Sequence, residues 1–183
     1  MTGTPPVALT HHDGRSAEAI LEAVIVPLYE ASHADVIADP FHSTERFVER
    51  VRDYVSVPGF EMVVAEIGSV PVGQAMGCPL PADTGWWEGL TTPVDPEMIA
   101  ETGQRTFALC ELMVRPDWRR HGIARSLHDE LVHGRPEERA TLLVEEDNTA
   151  ARRAYATWGW RRLGRLRPYP DAPHYEALIL PLR

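Results

Sequence analysis

The chain contains no lysine, so all 18 of its basic residues are arginine. We read this as base composition rather than function. Those cations face 27 carboxylates, giving a net charge of −9 at pH 7. Such a balance excludes the basic footprint that non-specific nucleic-acid binding requires, so no nucleic acid is expected as a partner. It is compatible with a cationic small substrate. Cysteine is nearly absent: Cys78 and Cys110 are too few for a disulfide framework, and two reduced thiols in a cytoplasmic protein are expected. No apolar run approaches the roughly 20 residues of a membrane span, so no membrane partner is expected. The opening stretch MTGTPPVALTHHDG lacks a basic region followed by an apolar core, so no secretion signal is expected. The histidines lack metal-ligand spacing: His11 and His12 are adjacent, and His128 and His133 do not share a helix face. No metal is expected. There is no repeat and no low-complexity tract.

What remains is an ordinary soluble composition over 183 residues, enough for one domain, which we place at 5–183. PPVAL is a short first strand. Ile20, Val24 and Leu28 recur every four positions between Ser16 and Tyr29 and predict a helix, which Pro27 should kink or end. Phe47, Val48, Val51 and Val55 predict a second helix from Thr44 to Val55, capped by Ser43 or Thr44. Glu61–Glu66 and Val70–Met76 read as a hairpin turning at Gly68–Ser69. A Pro/Gly-rich acidic insertion follows at about 79–103, with one helical turn near Pro96–Ala100. A strand from about Arg105 to Val114, a helix Gly122–His133, a buried strand ATLLVE, a helix Thr149–Trp158 and two last strands complete the order. The pattern predicts an α/β fold with a mixed sheet and helices on both faces.

Arg119, Arg120 and Arg125 gather around Gly122 at a helix start. A helix N-terminus already carries partial positive charge, so cations there cost energy unless an anion binds. Gly122 and the small Ala124 would leave the backbone amides from Arg120 to Arg125 facing outward, a cradle for phosphate. The dinucleotide fingerprint and the P-loop signature are both missing, so those nucleotide readings fail.

The segment ELMVRPDWRRHGIARSL, together with VEEDNTAARRAYATWGWRRLG, resembles the GCN5-related N-acetyltransferase (GNAT) superfamily. The former segment resembles its acetyl-CoA motif: a strand ending hydrophobic-x-Val-x-Pro, then Arg119-x-x-Gly122-x-Ala124. The latter is similar to its next motif: a buried strand, Asn148, Ala151, Tyr155 and Gly159-Trp160. The likeness is sharp over about Arg105–Gly164 and looser elsewhere. It implies a twisted mixed sheet of about seven strands, splayed between 105–114 and 140–146. It implies a pantetheine arm paired with the backbone of Leu112, Met113 and Val114, and a pyrophosphate on the amides of Arg120, His121, Gly122, Ile123, Ala124 and Arg125. Arg119 or Arg120 would reach further phosphates. An N–H near Met113 or Val114 would polarise the thioester carbonyl. Asn148 would cap its helix and help to bind the arm.

The implied chemistry is acetyl transfer from acetyl-CoA, with no metal, to an amine of a small molecule, peptide or protein. An amine must lose a proton and a thiolate must gain one. Tyr155 is the acid candidate, against a reading as a core aromatic. Glu111, a carboxylate in an otherwise apolar strand, is the base candidate, against pairing with an arginine or facing water. Glu66, His33 and His174 are fallbacks. For the acceptor we name Tyr29 and His33 between the first two helices, Trp86 and Trp87 in the insertion, and His174 before the last strand. Paired tryptophans and carboxylates suit a cation, although the insertion reads more readily as a solvated loop whose tryptophans pack on the domain or a dimer partner. The alternative function is a non-catalytic acyl-CoA-binding module or sensor. A toxin acting on aminoacyl-tRNA is a third reading, and the acidic charge speaks against it. The resemblance is compatible with a homodimer.

Overall fold

The computed structural model describes residues 6–183. Pro5, where both the first strand and the domain are expected to begin, lies outside the described residues. The described residues form seven strands, numbered β1 to β7 in chain order, in one mixed sheet of order β1-β2-β3-β4-β5-β7-β6. They divide into two compact bodies. One holds the described residues up to Cys78 together with Cys110–His133, and the other holds Pro79–Leu109 with Gly134–Arg183.

In the first body β1 (Val7–His12), β2 (Glu61–Ile67) and β3 (Val70–Pro79, its last residue aside) run antiparallel. β1 begins after Pro6, which has no N–H for the ladder. The β2–β3 hairpin turns at Gly68 and Ser69, both at positive φ, as its sequence predicts. α1 (Gly14–Ile20) starts at Asp13, whose side chain accepts from the Ser16 amide. Pro27 does not end this helix. Leu21–Ile25 widens into a π-helical turn, Val26 N–H bonding to Leu21, and α2 (Val26–Ser32) continues beyond it. The wider turn gives the proline ring room against the preceding carbonyl, the usual reason for a helix to stop there. α3 (Thr44–Val55) has the bounds that its period predicts, with Ser43 accepting from the Arg46 amide. Leu21, Ile25, Phe47, Val51, Met62 and Met76 pack together in its core. Each such side chain contributes about 1.5–3 kcal/mol by leaving water.

α5 (Ile123–Val132) buries Ile123, Leu127 and Leu131. Gly73 on β3 permits this close packing: a Cβ there would lie 2.8 Å from Met113 O and 3.1 Å from Leu127 Cδ1.

The second body holds the N-terminal part of β4 (Thr106–Val114), β5 (Arg139–Glu145), β6 (Arg161–Leu166) and β7 (Tyr175–Pro181). β4 and β5 are parallel and paired at Thr106↔Arg139, Phe107↔Ala140 and Ala108↔Thr141. α4 (Pro96–Ile99) is the helical turn expected in the insertion, and α6 (Thr149–Thr157) follows β5. The insertion is tied down. Thr91 N–H donates to Arg165 O at 2.8 Å, Arg165 N–H to Thr92 Oγ1 at 2.9 Å, and Arg167 N–H to Gly89 O at 3.0 Å, so 89–92 covers the open edge of β6. At its other end Glu101 is buried with Arg139 (Oε1 to Nη2 3.0 Å) and also accepts from Thr106 Oγ1 at 2.9 Å and Trp87 Nε1 at 3.1 Å.

Candidate active site

The site is built at the end of β4. Met113 and Val114 are buried, and the Arg115 amide donates to Val72 O at 2.8 Å, which holds the strand end against β3. A 3₁₀ turn, Pro116–Trp118, then carries the chain outward. Arg119 turns back. Its Nε donates to Val114 O at 3.2 Å and its Nη2 to Ser32 O at 3.0 Å. The guanidinium expected to reach a phosphate thus staples this turn to the end of α2.

Arg120 sits at φ 64 and Gly122 at φ 80, two left-handed residues flanking His121. Arg120 bears that conformation without being glycine, a strain that is common at functional turns. His121 Nδ1 donates to Arg119 O at 2.9 Å. Gly122 then opens α5 with no side-chain cap and no acidic residue in the first turn, and the space where its Cβ would stand is empty. Among the described residues, the amides of Arg120, His121, Gly122, Ile123 and Ala124 have no protein acceptor. A run of outward N–H groups at an uncapped helix start suits a diphosphate. The residues therefore fit the phosphate end of coenzyme A. Arg125 Nε instead lies 2.6 Å from Asp129 Oδ2, along its own helix.

Glu111 is two residues ahead of Met113. Its Oε1 is 3.8 Å from Arg50 Nη2 on α3, and both side chains remain partly exposed. The alternative of an arginine partner is therefore realised, with solvent access retained. Burial, with the nearby Cys110 and Glu111, pushes the Tyr54 hydroxyl well above the usual phenol range. A hydrogen bond with Cys78, followed by burial, pushes the Cys110 thiol up as well. Neither cysteine forms a disulfide among the described residues.

Tyr29 is fully buried, stacked between His33 (4.2 Å) and Phe47 (3.8 Å), and its hydroxyl donates to His42 O at 2.7 Å. It fixes the 3₁₀ turn Pro40–His42 over α3. His33 is half-buried, its ring Nδ1 donating to Tyr29 O at 3.1 Å, and burial lowers its pKa.

Asn148, Tyr155, Trp86, Trp87 and His174 lie in the second body, while Glu66 on β2 and Leu112 on β4 belong to the first. Asn148 caps α6, its Oδ1 accepting from the Ala151 amide at 3.1 Å. Tyr155 is buried edge-on to Trp158 (5.4 Å) and Trp160 (5.9 Å). Trp87 is buried in the Glu101 network and carries Arg139 5.9 Å from its ring. Trp86 Nε1 and His174 Nδ1 are buried nitrogens with no partner among the described residues.

Sequence reasoning missed Arg50 and Gln74. Their signals were a cation beside Phe47 and Val51 on the apolar side of α3, and an amide at an inward position of a strand reading Val72, Gln74, Met76. Among the described residues no group of three or more His, Cys, Asp or Glu side chains could hold a metal ion. Among those residues no helix is long and apolar enough to cross a membrane.

Known proteins place this architecture. No curated protein sequence matches the chain. Solved structures do. An acetyltransferase from Thermus thermophilus aligns with TM-score 0.63 at 16% identity, over 98% of this chain and 99% of its own. The ribosomal-protein-S18-alanine N-acetyltransferase from Escherichia coli aligns with TM-score 0.62 at 16% identity, over 97% and 94%. PaiA N-acetyltransferase from Thermoplasma acidophilum, solved with coenzyme A, aligns with TM-score 0.58 at 11% identity, over 96% and 99%. At these identities the likeness is one of fold. Residues 26–160 match the family model for acetyltransferases of the GNAT type, and the chain belongs to that family.

Proposed function

We propose that the chain is an acetyl-CoA-dependent N-acetyltransferase, a single domain over 5–183, acting on a primary amine in the cytoplasm. The observation that carries this reading is the uncapped turn at Gly122, where the amides from Arg120 to Ala124 lack a protein acceptor among the described residues. The solved complex of the Thermoplasma acidophilum relative with coenzyme A supports the choice of ligand.

In this reading acetyl-CoA supplies the activated acyl group, whose C–S bond breaks as the new C–N bond forms. The amides of Arg120 to Arg125 hold the diphosphate. The backbone of Leu112 to Val114 aligns the arm as an added strand would. Asn148 contributes beyond its cap. Glu111 takes the proton that an ammonium of pKa about 10 must lose. Tyr155 holds the proton that the leaving sulfur takes up. Tyr29 on α2 and His33 just past its end shape the acceptor side.

A thiol-release assay with acetyl-CoA over amino acids, polyamines, aminoglycosides and peptides tests the proposal. Amine-dependent release, slowed in Tyr155→Phe with coenzyme binding retained, supports an enzyme. Binding of coenzyme A without release for any amine would instead leave an acyl-CoA-binding module.

A further inference from the structure

Arg50 is fixed in place. Its guanidinium lies 5.7 Å from the Phe41 ring centre and 6.0 Å from that of Phe47, and it hydrogen-bonds the Tyr29 hydroxyl. Flat aromatic faces suit a guanidinium and restrict its rotation. Opposite stands Glu111, yet the pair is not closed: 3.8 Å separates Nη2 from Oε1, against about 2.8 Å for a charge-assisted hydrogen bond. The two side chains stay 23% and 18% exposed, so a small molecule can reach both.

Gln74 is the second observation. It is 0% exposed, and both Oε1 and Nε2 lack a partner among the described residues. A buried amide with neither atom satisfied is costly and rare. It pairs with Val64 on β2 and, by strand alternation, shares a face with Met76 and Cys78, the face that packs on α1 and α3. The next strand is β4, and there Glu111 meets Arg50 of α3 on that side. A fixed cation, a carboxylate and an unsatisfied amide therefore share one face, with Arg46 adding charge 4.9 Å from the Phe41 ring. A purely structural ion pair between α3 and the sheet would account for Arg50 and Glu111. It gives no reason for Gln74.

Resting on the transferase reading, we infer that the acceptor is a small zwitterion, a free amino acid whose amine and carboxylate lie side by side. The ammonium sits on Glu111, which also receives its proton, and the carboxylate sits on Arg50. Gln74 hydrogen-bonds a further polar group of the same molecule. A peptide N-terminus or a polyamine offers the ammonium without the carboxylate beside it and leaves Arg50 unanswered.

Thiol release by the full chain tests this, with free amino acids set against their amides and the corresponding decarboxylated amines. The expected KM for amino acids is about tenfold to a hundredfold lower than for either analogue, the worth of one or two charged hydrogen bonds. Arg50→Gln abolishes that preference, Arg50→Lys restores part of it, and Gln74→Met raises the amino-acid KM, while the KM for acetyl-CoA is unchanged in all three. Equal or better use of the decarboxylated amines overturns the inference, and the wild-type panel decides this even where a variant fails to fold. In that case the transferase reading stands. Absence of release from every acceptor overturns both.

Discussion

The Arg119 guanidinium reaches across 87 residues of sequence to donate to the carbonyl of Ser32 at 3.0 Å, while its Nε holds Val114 O. One side chain thus joins the end of β4, the turn before α5 and the end of α2. Arg119→Ala should lower stability by roughly 1–2 kcal/mol, as charged hydrogen bonds in part-exposed surroundings do. It should also raise the KM for acetyl-CoA. Arg119→Lys should recover little, because an ammonium lacks the fork that spans two carbonyls. Urea denaturation and initial rates measure the two effects.

Gly122 stands at φ 80 with open space where a Cβ would go. Gly122→Ala should therefore cost about 1–2 kcal/mol through backbone conformation alone, without a clash. Arg120→Gly at φ 64 should leave folding stability unchanged or slightly raised, as relief of strain offsets unfolded-state entropy. Both should weaken coenzyme A binding, the first by disturbing the amides and the second by removing a cation. Denaturation and calorimetric titration separate the two quantities.

Glu101 is almost wholly buried on Arg139, Thr106 and Trp87. Glu101→Ala strands the Arg139 charge and should cost about 3–5 kcal/mol. A double variant, Glu101→Leu with Arg139→Met, should recover much of the loss because no charge is left buried. Equal losses in the single and double variants would show that the network does not behave as a buried ion pair.

Two histidines should shape stability in opposite directions with pH. Burial lowers the pKa of His128 below 6.5, against its hydrogen bond to Asp129. Its contribution is complete above 6.5 and lost as pH falls toward the folded value, because the unfolded chain takes the proton first. Hydrogen bonds to Glu130 and then Glu61 raise the pKa of His11 above 6.5. Its contribution is complete below 6.5 and lost as pH rises through the folded value. Thermal melts across pH 4–9, a range of about five units around the histidine pKa, should flatten on the acid side in His128→Gln and on the alkaline side in His11→Gln.

Much of this fold was legible in the sequence because its signals are local. Ser43 and the period of Phe47, Val51 and Val55 define α3, and Gly68–Ser69 turns its hairpin. The strand, turn and helix around Gly122 follow from the same kind of pattern. What escaped depends on contacts between distant segments. Pro27 reads as a kink or a stop, and the π-helical turn before it lets α2 continue. The insertion reads as a Pro/Gly-rich acidic loop, and nothing in its sequence marks that Thr91 and Thr92 bond to Arg165 on β6. Arg119 or Arg120 reads as reaching further phosphates, and no local signal marks that the Arg119 guanidinium bonds two carbonyls. Arg50 and Gln74 carry no motif at all. One is marked by where α3 sets it beside Glu111, the other by what it fails to bond.

Calorimetric titration of the chain with coenzyme A tests the central claim, that main-chain hydrogens at Gly122 hold a diphosphate. The account predicts saturable heat and a rise in melting temperature, both reduced in Gly122→Ala. No heat and no thermal shift at millimolar coenzyme A, or binding indifferent to that substitution, would contradict it.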